Sequence, residues 1–421
     1  MTQHSQIGRR IIGRRIIGRR TLLLGTTAAV LSGVASSCRP TAADAALKIS
    51  LLEGSVPAEV LKKFRQQVGD AVQFQTANQL SDLFRQLQRW QSKQAPDFSL
   101  RQLLPWVQEP VRVQPDNLVS LGDYWLTSAI AQNLIDPIQL SSETLEKLPV
   151  AWQQFVSRGP KGQPSTGTDT PSGEPANILW AAPYKVQFLV VVYRQKKVSA
   201  ASGTQPFSSW RDLLDPEFKN RIALPDHPRI VLGLLTKIQS DSFNLGIEGT
   251  ADKPPTAKEI ENQLARQVSE VFPQLDKQVK TYDADNSLKA LINEDVDVAV
   301  SWSSEVVAAQ RRYRELKMTI PAEGSLLSAD LWVRPKGAEM SDRAKTWIDY
   351  CWEPGPATQI SLSRKGLSPV FLGAEATLPA VLAERELSFE AIRNSEPLLP
   401  LSPDAQTAYF KFWQRMRGEE L

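Results

Sequence analysis

The chain has 421 residues, 42% hydrophobic and 23% charged, a composition that suits a globular protein of two or three domains with cores large enough to need no disulfide staples. Its formal net charge of +3 is concentrated in an arginine-rich start, and the body that follows is mildly acidic. A basic stripe for nucleic acid is therefore excluded.

Taken in chain order, the first segment reads as targeting and not as fold. Ile-Gly-Arg-Arg occurs three times, at Ile7–Arg10, Ile12–Arg15 and Ile17–Arg20, and the last copy runs into an apolar stretch that ends near Val34. That is a positive region followed by a hydrophobic one, too short for a transmembrane helix, which needs about 20 apolar residues. Arg19-Arg20-Thr21-Leu22-Leu23 has the form of a twin-arginine signal; an ordinary secretory signal rich in arginine is the other reading. Cys38 follows Val34-Ala35-Ser36-Ser37 and is a candidate for lipid attachment, with Ala42–Ala46 as the competing cleavage site. The second cysteine, Cys351, lies in an aromatic helical stretch and is expected to be a buried free thiol.

After residue 46 the pattern alternates. Leu47–Leu52 reads as a strand, Ala58–Val68 as a helix between Pro57 and Gly69, and Ala71–Gln75 as a second strand. Ser81 is expected to cap a helix reaching Lys93 whose apolar face carries Leu83, Phe84, Leu87 and Trp90. Asp97–Leu100 reads as a short third strand, so the order strand–helix–strand–helix–strand predicts a parallel sheet covered by helices. Arg158 to Pro175 is polar and rich in Gly, Pro, Ser and Thr, a solvated surface loop. Ile178–Tyr184 leads into Phe188–Tyr193, the most strand-like run of the chain. A second alternating set follows: strands at Arg221–Leu224, Val279–Tyr282 and Val296–Trp302, and helices at Arg229–Ile238, Ser287–Asn293 and after Trp302. Two α/β lobes are expected, with a site in the crevice at the carboxyl ends of their strands.

The sequence offers little to an enzyme. It has two histidines, His4 and His227, no His or Cys cluster spaced for a metal, no Gly-rich phosphate loop and no G-x-S-x-G elbow. No catalytic residue, metal or cofactor is assigned.

Five segments in order carry a resemblance. Val56-Pro57, the run Trp210 to Asp226, Val296 to Trp302, Ile320–Gly324 followed by Asp330, and Gly366–Pro369 together resemble landmarks of the polyamine branch of ABC-importer solute-binding proteins, the spermidine/putrescine-binding family. The resemblance covers residues 47 to about 415. It implies an α/β fold of two lobes, the type II periplasmic-binding-protein fold, with the ligand cleft between lobes joined by two hinge strands. The expected division is a signal or tether segment over 1–46, a first lobe over 47–177 plus about 330–370, and a second over 178–329 plus about 371–421. It also implies a periplasmic monomer, tethered through Cys38 if that residue is lipidated, that binds a small molecule and delivers it to membrane permease subunits.

The pocket is read on the same basis. A polyamine needs carboxylates for its ammonium groups and aromatic faces for its chain. Trp302 and Asp330 match ligand positions of the family. Glu53 and Ser55 occupy the first strand-to-helix turn, and Asp226 and His227 follow the first strand of the second lobe; these complete the candidate site. Leu52, Ile230 and Leu367 depart from the family's pattern. Tyr124 and Trp125 either line the cleft or pack the first lobe, and Asp226 is alternatively a helix cap. Two other readings remain: a receptor for a different solute, an anion held by Arg229, Arg334 and Lys185 being one form, and an exported hydrolase built on His227. Ferric ion is disfavoured because no two of the seven tyrosines are adjacent.

Overall fold

The computed structural model describes residues 46–69, 71–94, 114–162, 177–198, 206–245, 255–283, 287–363, 366–373, 378–383, 389–399, 401 and 403–418. The arginine-rich start, Cys38, the strand expected at 97–100 and most of the loop expected after Arg158 lie outside them. Thirteen strands are present among these residues: β1 (Leu47–Leu52), β2 (Val72–Ala77), β3 (Leu118–Gly122), β4 (Ile135–Asp136), β5 (Ser157–Arg158), β6 (Ile178–Leu179), β7 (Ala181–Arg194), β8 (Ile222–Leu224), β9 (Val279–Tyr282), β10 (Val298–Trp302), β11 (Leu316–Thr319), β12 (Leu326–Pro335) and β13 (Glu396–Pro397). All but β5 and β6, which pair with each other, join one sheet whose main path runs β2-β1-β3-β12-β7-β10-β8-β9.

Each end of this sheet is a parallel triplet. β1 pairs in parallel with β2 and β3, and β8 pairs in parallel with β9 and β10. Helices make the crossovers, as parallel pairing requires. The Ala58–Val68 helix forms where the sequence predicts it, because Pro57 sets an extended N-cap and Gly69 at φ 85° ends it. The helix expected from Ser81 begins one residue earlier, at Leu80, so Ser81 is inside the helix and its hydroxyl donates to the Gln79 side chain instead of capping.

Two long antiparallel strands join the triplets. β7 pairs through Ala181–Phe188 with β12, then changes neighbour and pairs through Leu189–Tyr193 with β10. β12 pairs through Asp330–Val333 with β3 and, at its other end, through Leu326 and Leu327 with β13. β7 therefore crosses from one triplet to the other and β12 from the first triplet to β13, and both change partners at the crossing. β7 shows no polar alternation because both of its faces are covered. Val190 and Val192 enter one hydrophobic core, which also holds Ile49, Phe64, Trp332 and Trp347, while Leu189, Val191 and Tyr193 enter a second with Trp210, Leu232 and Phe243. Cys351 is buried and free, as expected, and burial pushes its thiol pKa up.

The Ile320–Gly324 segment has a structural reason for its glycine. Gly324 has φ 93°, and a Cβ there would stand 2.2 Å from the backbone oxygen of Asn394. Its carbonyl also accepts the Trp210 indole N–H at 2.7 Å, and Glu323 accepts from the Ser209 hydroxyl and the Trp210 amide. Gly324→Ala combines backbone strain with a clash against main chain, and it is expected to destabilise the fold by about 2–3 kcal/mol. Urea unfolding monitored by tryptophan fluorescence checks this, and a loss under 1 kcal/mol would count against the close approach.

Candidate functional site

One strand of each parallel triplet, β3 in the first and β8 in the second, leads at its carboxyl end into the same cavity. β3 ends at Gly122, and the chain turns at once through Asp123-Tyr124-Trp125. β8 ends at Leu224, and after Pro225-Asp226 the chain enters the Pro228–Ser240 helix with His227 at its N-cap. Asp123, Tyr124 and Thr127 from the first turn and His227, Pro228 and Arg229 from the second line the same space of about 290 Å³. Phe155 and Arg158 close one side; Leu398, Leu399, Leu401 and the C-terminal helix residues Gln406, Tyr409 and Phe410 close another. A space of this size suits a compact small molecule.

Its rim is unusually apolar. Among the described residues six large hydrophobics are exposed, and three of them, Tyr124 at 57%, Leu399 at 49% and Phe410 at 53%, belong to this cavity. Exposed apolar side chains gathered at one place mark a surface that gains by being covered.

Its charges are mixed. Asp123 accepts the Ser328 hydroxyl at 2.8 Å and the Tyr124 amide at 2.9 Å. Burial nonetheless pushes its carboxyl pKa up to about 7, and the nearby charge of Asp330 adds to the rise. His227 moves the other way: desolvation, then the charge of Arg229, holds its imidazole below the usual value, so it is neutral at pH 7. Burial lowers Arg158 to about 10, which leaves the guanidinium charged at neutral pH.

The six candidate residues do not converge. His227 alone among them lines the cavity. Asp226 neither caps the helix nor faces the cavity; its Oδ1 accepts the Trp413 indole N–H at 2.8 Å, a contact across 187 residues that local sequence cannot reveal. Asp330 is 4% exposed in the middle of β12, and its Oδ2 takes the Lys185 ammonium at 2.9 Å. The chain's own lysine thus meets the carboxylate that the resemblance assigns to a ligand amine. Trp302 ends β10, as expected, and is half-buried against the second core. Ser55 is fully buried beside the Tyr184 phenol, and Glu53 is exposed at the end of β1. Of the two aromatics left open, Tyr124 lines the cavity while Trp125 stacks on Phe84 at 5.2 Å between ring centres. Of the three cations expected to hold an anion, Arg229 lines the cavity, Lys185 pairs with Asp330 and Arg334 with Asp136.

Sequence reasoning missed Arg158, which opens the expected surface loop yet is 3% exposed on β5. The signal for it was the apolar face of Trp152, Phe155 and Val156 just before it, which drives that end of the loop into the core. No group of three His, Cys, Asp or Glu among the described residues could hold a metal ion.

Comparison with known proteins agrees with this architecture. The family model of bacterial extracellular solute-binding proteins matches residues 115–389, more than half of the chain. The spermidine/putrescine-binding periplasmic protein 1 of Haemophilus influenzae is 27% identical over 217 residues, 51% of this chain and 56% of that protein. The chain spans about half the length of the curated relatives it matches. Among solved structures, a spermidine/putrescine ABC transporter substrate-binding protein from Streptococcus pneumoniae superposes with a TM-score of 0.64 at 19% identity, covering 89% of this chain and 99% of that one. A lipoprotein of Treponema pallidum superposes at 0.56 with 15% identity over 88% and 99%. At these identities the likeness shows the fold, two-lobed and of the type II periplasmic-binding class, as the resemblance implied.

Proposed function

Because the chain belongs to the bacterial extracellular solute-binding protein family, we propose that it is the extracytoplasmic substrate-binding component of an ABC importer. In this reading it closes two lobes around a small amine, polyamines being the class that its relatives' names give, and hands it to permease subunits in the membrane. The family is a transport component, and the chain performs no chemistry on its cargo. One observation carries the reading: a small cavity lies at the carboxyl ends of β3 and β8, one strand from each triplet, and the long strands β7 and β12 run between the two cores. Ligands of open α/β sheets bind at such ends.

The lobes divide where those strands change partners, at Phe188/Leu189 on β7 and between Leu327 and Asp330 on β12. The β12 point agrees with the expected boundary near 330, while the β7 point moves the first boundary from 177 to about 188, giving 47–188 with about 330–370 and 189–329 with about 371–421. Asp123 is the ligand's ammonium partner, with Tyr124, Phe155 and Phe410 as apolar walls for the carbon chain and His227 beside it. Asp330, held by Lys185, acts through Asp123 by raising its proton affinity. The protein works as a monomer on the periplasmic side, exported by its arginine-rich start, with Cys38 as the point of lipid attachment. Among the described residues no helix is long and apolar enough to cross a membrane.

Contacts that exist only between closed lobes shift the open–closed equilibrium when ligand supplies them. Small-angle scattering of the mature chain is expected to give a smaller radius of gyration with saturating putrescine or spermidine than without. An unchanged radius with every amine that binds would remove the hinge.

A further inference from the structure

We infer that the cavity has a second, anion-binding pole built by Arg158 and Arg229, and that the solute is an amine that also carries a carboxylate. The inference rests on the receptor reading above and on the amine pole at Asp123.

Five cationic side chains are buried among the described residues: Arg158, Lys185, Arg194, Arg229 and Lys237. Three of them have carboxylate partners, Lys185 with Asp330, Arg194 with Glu315 and Glu294, and Lys237 with Asp241. Arg158 and Arg229 form no ion pair with a described carboxylate, and these two line the same cavity. They come from opposite lobes, Arg158 from β5 and Arg229 from the first turn of the Pro228–Ser240 helix.

Their hydrogen bonds hold them in place without neutralising them. Arg158 donates through Nη1 to the backbone oxygens of Ser157 at 2.9 Å and Gln154 at 3.4 Å. Arg229 donates through Nη1 to Tyr409 Oη at 3.3 Å and Phe243 O at 3.5 Å, and through Nη2 to Asn244 Oδ1 at 2.8 Å and Leu399 O at 3.2 Å. All these acceptors are uncharged. Glu396 is kept one residue away, because Asn244 stands between, donating to the Glu396 carboxylate at 2.9 Å. The Nε of both arginines is buried without a hydrogen-bond partner. A buried charge without a partner is costly, and a guanidinium offers a planar fork that fits a carboxylate. The Pro228–Ser240 helix also points its positive end at the cavity through His227, Pro228 and Arg229. A neutral His227 adds no charge there.

With Asp123 lining the same small space, near enough for its charge to act on Arg158 although no ion pair joins them, the pocket has one acidic and two basic contributors. A diamine would meet two guanidinium groups at one end and a diacid would meet Asp123; a molecule with one group of each kind meets complementary charge at both.

Three probes with the same four-carbon span separate these cases: putrescine, 4-aminobutyrate and succinate, titrated into the mature full-length chain by calorimetry at pH 8. 4-Aminobutyrate is expected to bind at least tenfold tighter than either of the others and to reduce the radius of gyration. Arg158→Gln is expected to weaken 4-aminobutyrate tenfold or more and to leave putrescine unchanged or tighter, while Arg158→Lys, which keeps the charge, retains most of the affinity. Putrescine binding as tightly as 4-aminobutyrate overturns the inference and leaves the polyamine reading intact, as does a 4-aminobutyrate affinity that Arg158→Gln and Arg229→Gln both leave unchanged. Succinate as the tightest of the three also overturns it. No heat and no closure with any of the three overturns it together with the receptor reading for solutes of this size.

Discussion

Asp123→Asn is expected to stabilise the protein above pH 7 and to remove most of its affinity for an amine. In the folded chain the carboxyl has a pKa of about 7 against an ordinary value of 3.8, so the folded state holds its proton more tightly than the unfolded state does. The sign follows: ionisation is penalised in the fold, and stability falls as pH rises from about 4 to about 7 and stays low above that. At about 1.4 kcal/mol per pKa unit the penalty has an upper bound of about 4 kcal/mol, and access of solvent through the cavity brings the expected gain from Asn nearer to 2 kcal/mol. Asn keeps Oδ1 for the Ser328 hydroxyl and the Tyr124 amide but has one acceptor fewer for the Ala329 amide, which also lowers the gain. Urea unfolding at pH 5 and pH 8 should show wild type weakening between the two and the variant nearly flat.

Binding has the opposite preference. An ammonium group needs the ionised carboxylate, so affinity for an amine rises from pH 6 to pH 8 and binding below pH 7 releases a proton. The charge-assisted hydrogen bond is worth about 1.5–3 kcal/mol, so Asp123→Asn should lose roughly ten- to a hundredfold in affinity. Titrations in buffers of different ionisation heat read the proton directly. A wild-type affinity independent of pH, with no loss in the variant, would move the amine pole away from Asp123.

Lys185→Met carries the larger structural cost. It leaves Asp330 buried in the middle of β12 with its ammonium partner gone, at the point where the pairing of β7 and β12 shifts register. Removing one member of a buried pair costs about 3–5 kcal/mol, because the remaining charge is left desolvated. The pair itself adds little over apolar replacements of similar volume, so Lys185→Met with Asp330→Leu should recover most of the loss. A double variant no more stable than the single one would show that the lysine stem, packed under Gly366, matters more than the charge.

The order of elements was legible because each triplet writes its own pattern of alternating strands and periodic helices, bounded by residues such as Pro57 and Gly69. β3 was not. Its five residues are all buried, so Leu118–Gly122 shows no alternation and is too short to stand out. The run through Phe188–Tyr193 was plain as a strand, but nothing local says that its neighbour changes at Leu189. The site was less legible still. His227 was found by its place after β8, and Tyr124 was half seen. Arg158 looked solvated because the polar residues after it outweigh the apolar ones before. Tyr409 and Phe410 reach the cavity from the far end of the chain, and Asp226 was given away to Trp413 by the same tertiary packing.

The sheet also has an order in time. β12 lies between β3 and β7, yet it is synthesised after both, and its Asp330 finds Lys185 145 residues back along the chain. While the ribosome is still making the second lobe, β3 has a bare edge and the first core lacks Trp332 and Trp347. A chain interrupted anywhere before residue 335 therefore holds neither lobe complete, and it exposes the kind of edge on which strands of other molecules add. The two lobes do not mature one after the other from the N-terminus, as separate domains do; both wait for segments made after the crossing strand, the Asp342–Cys351 helix in the first core and the Pro403–Met416 helix in the second.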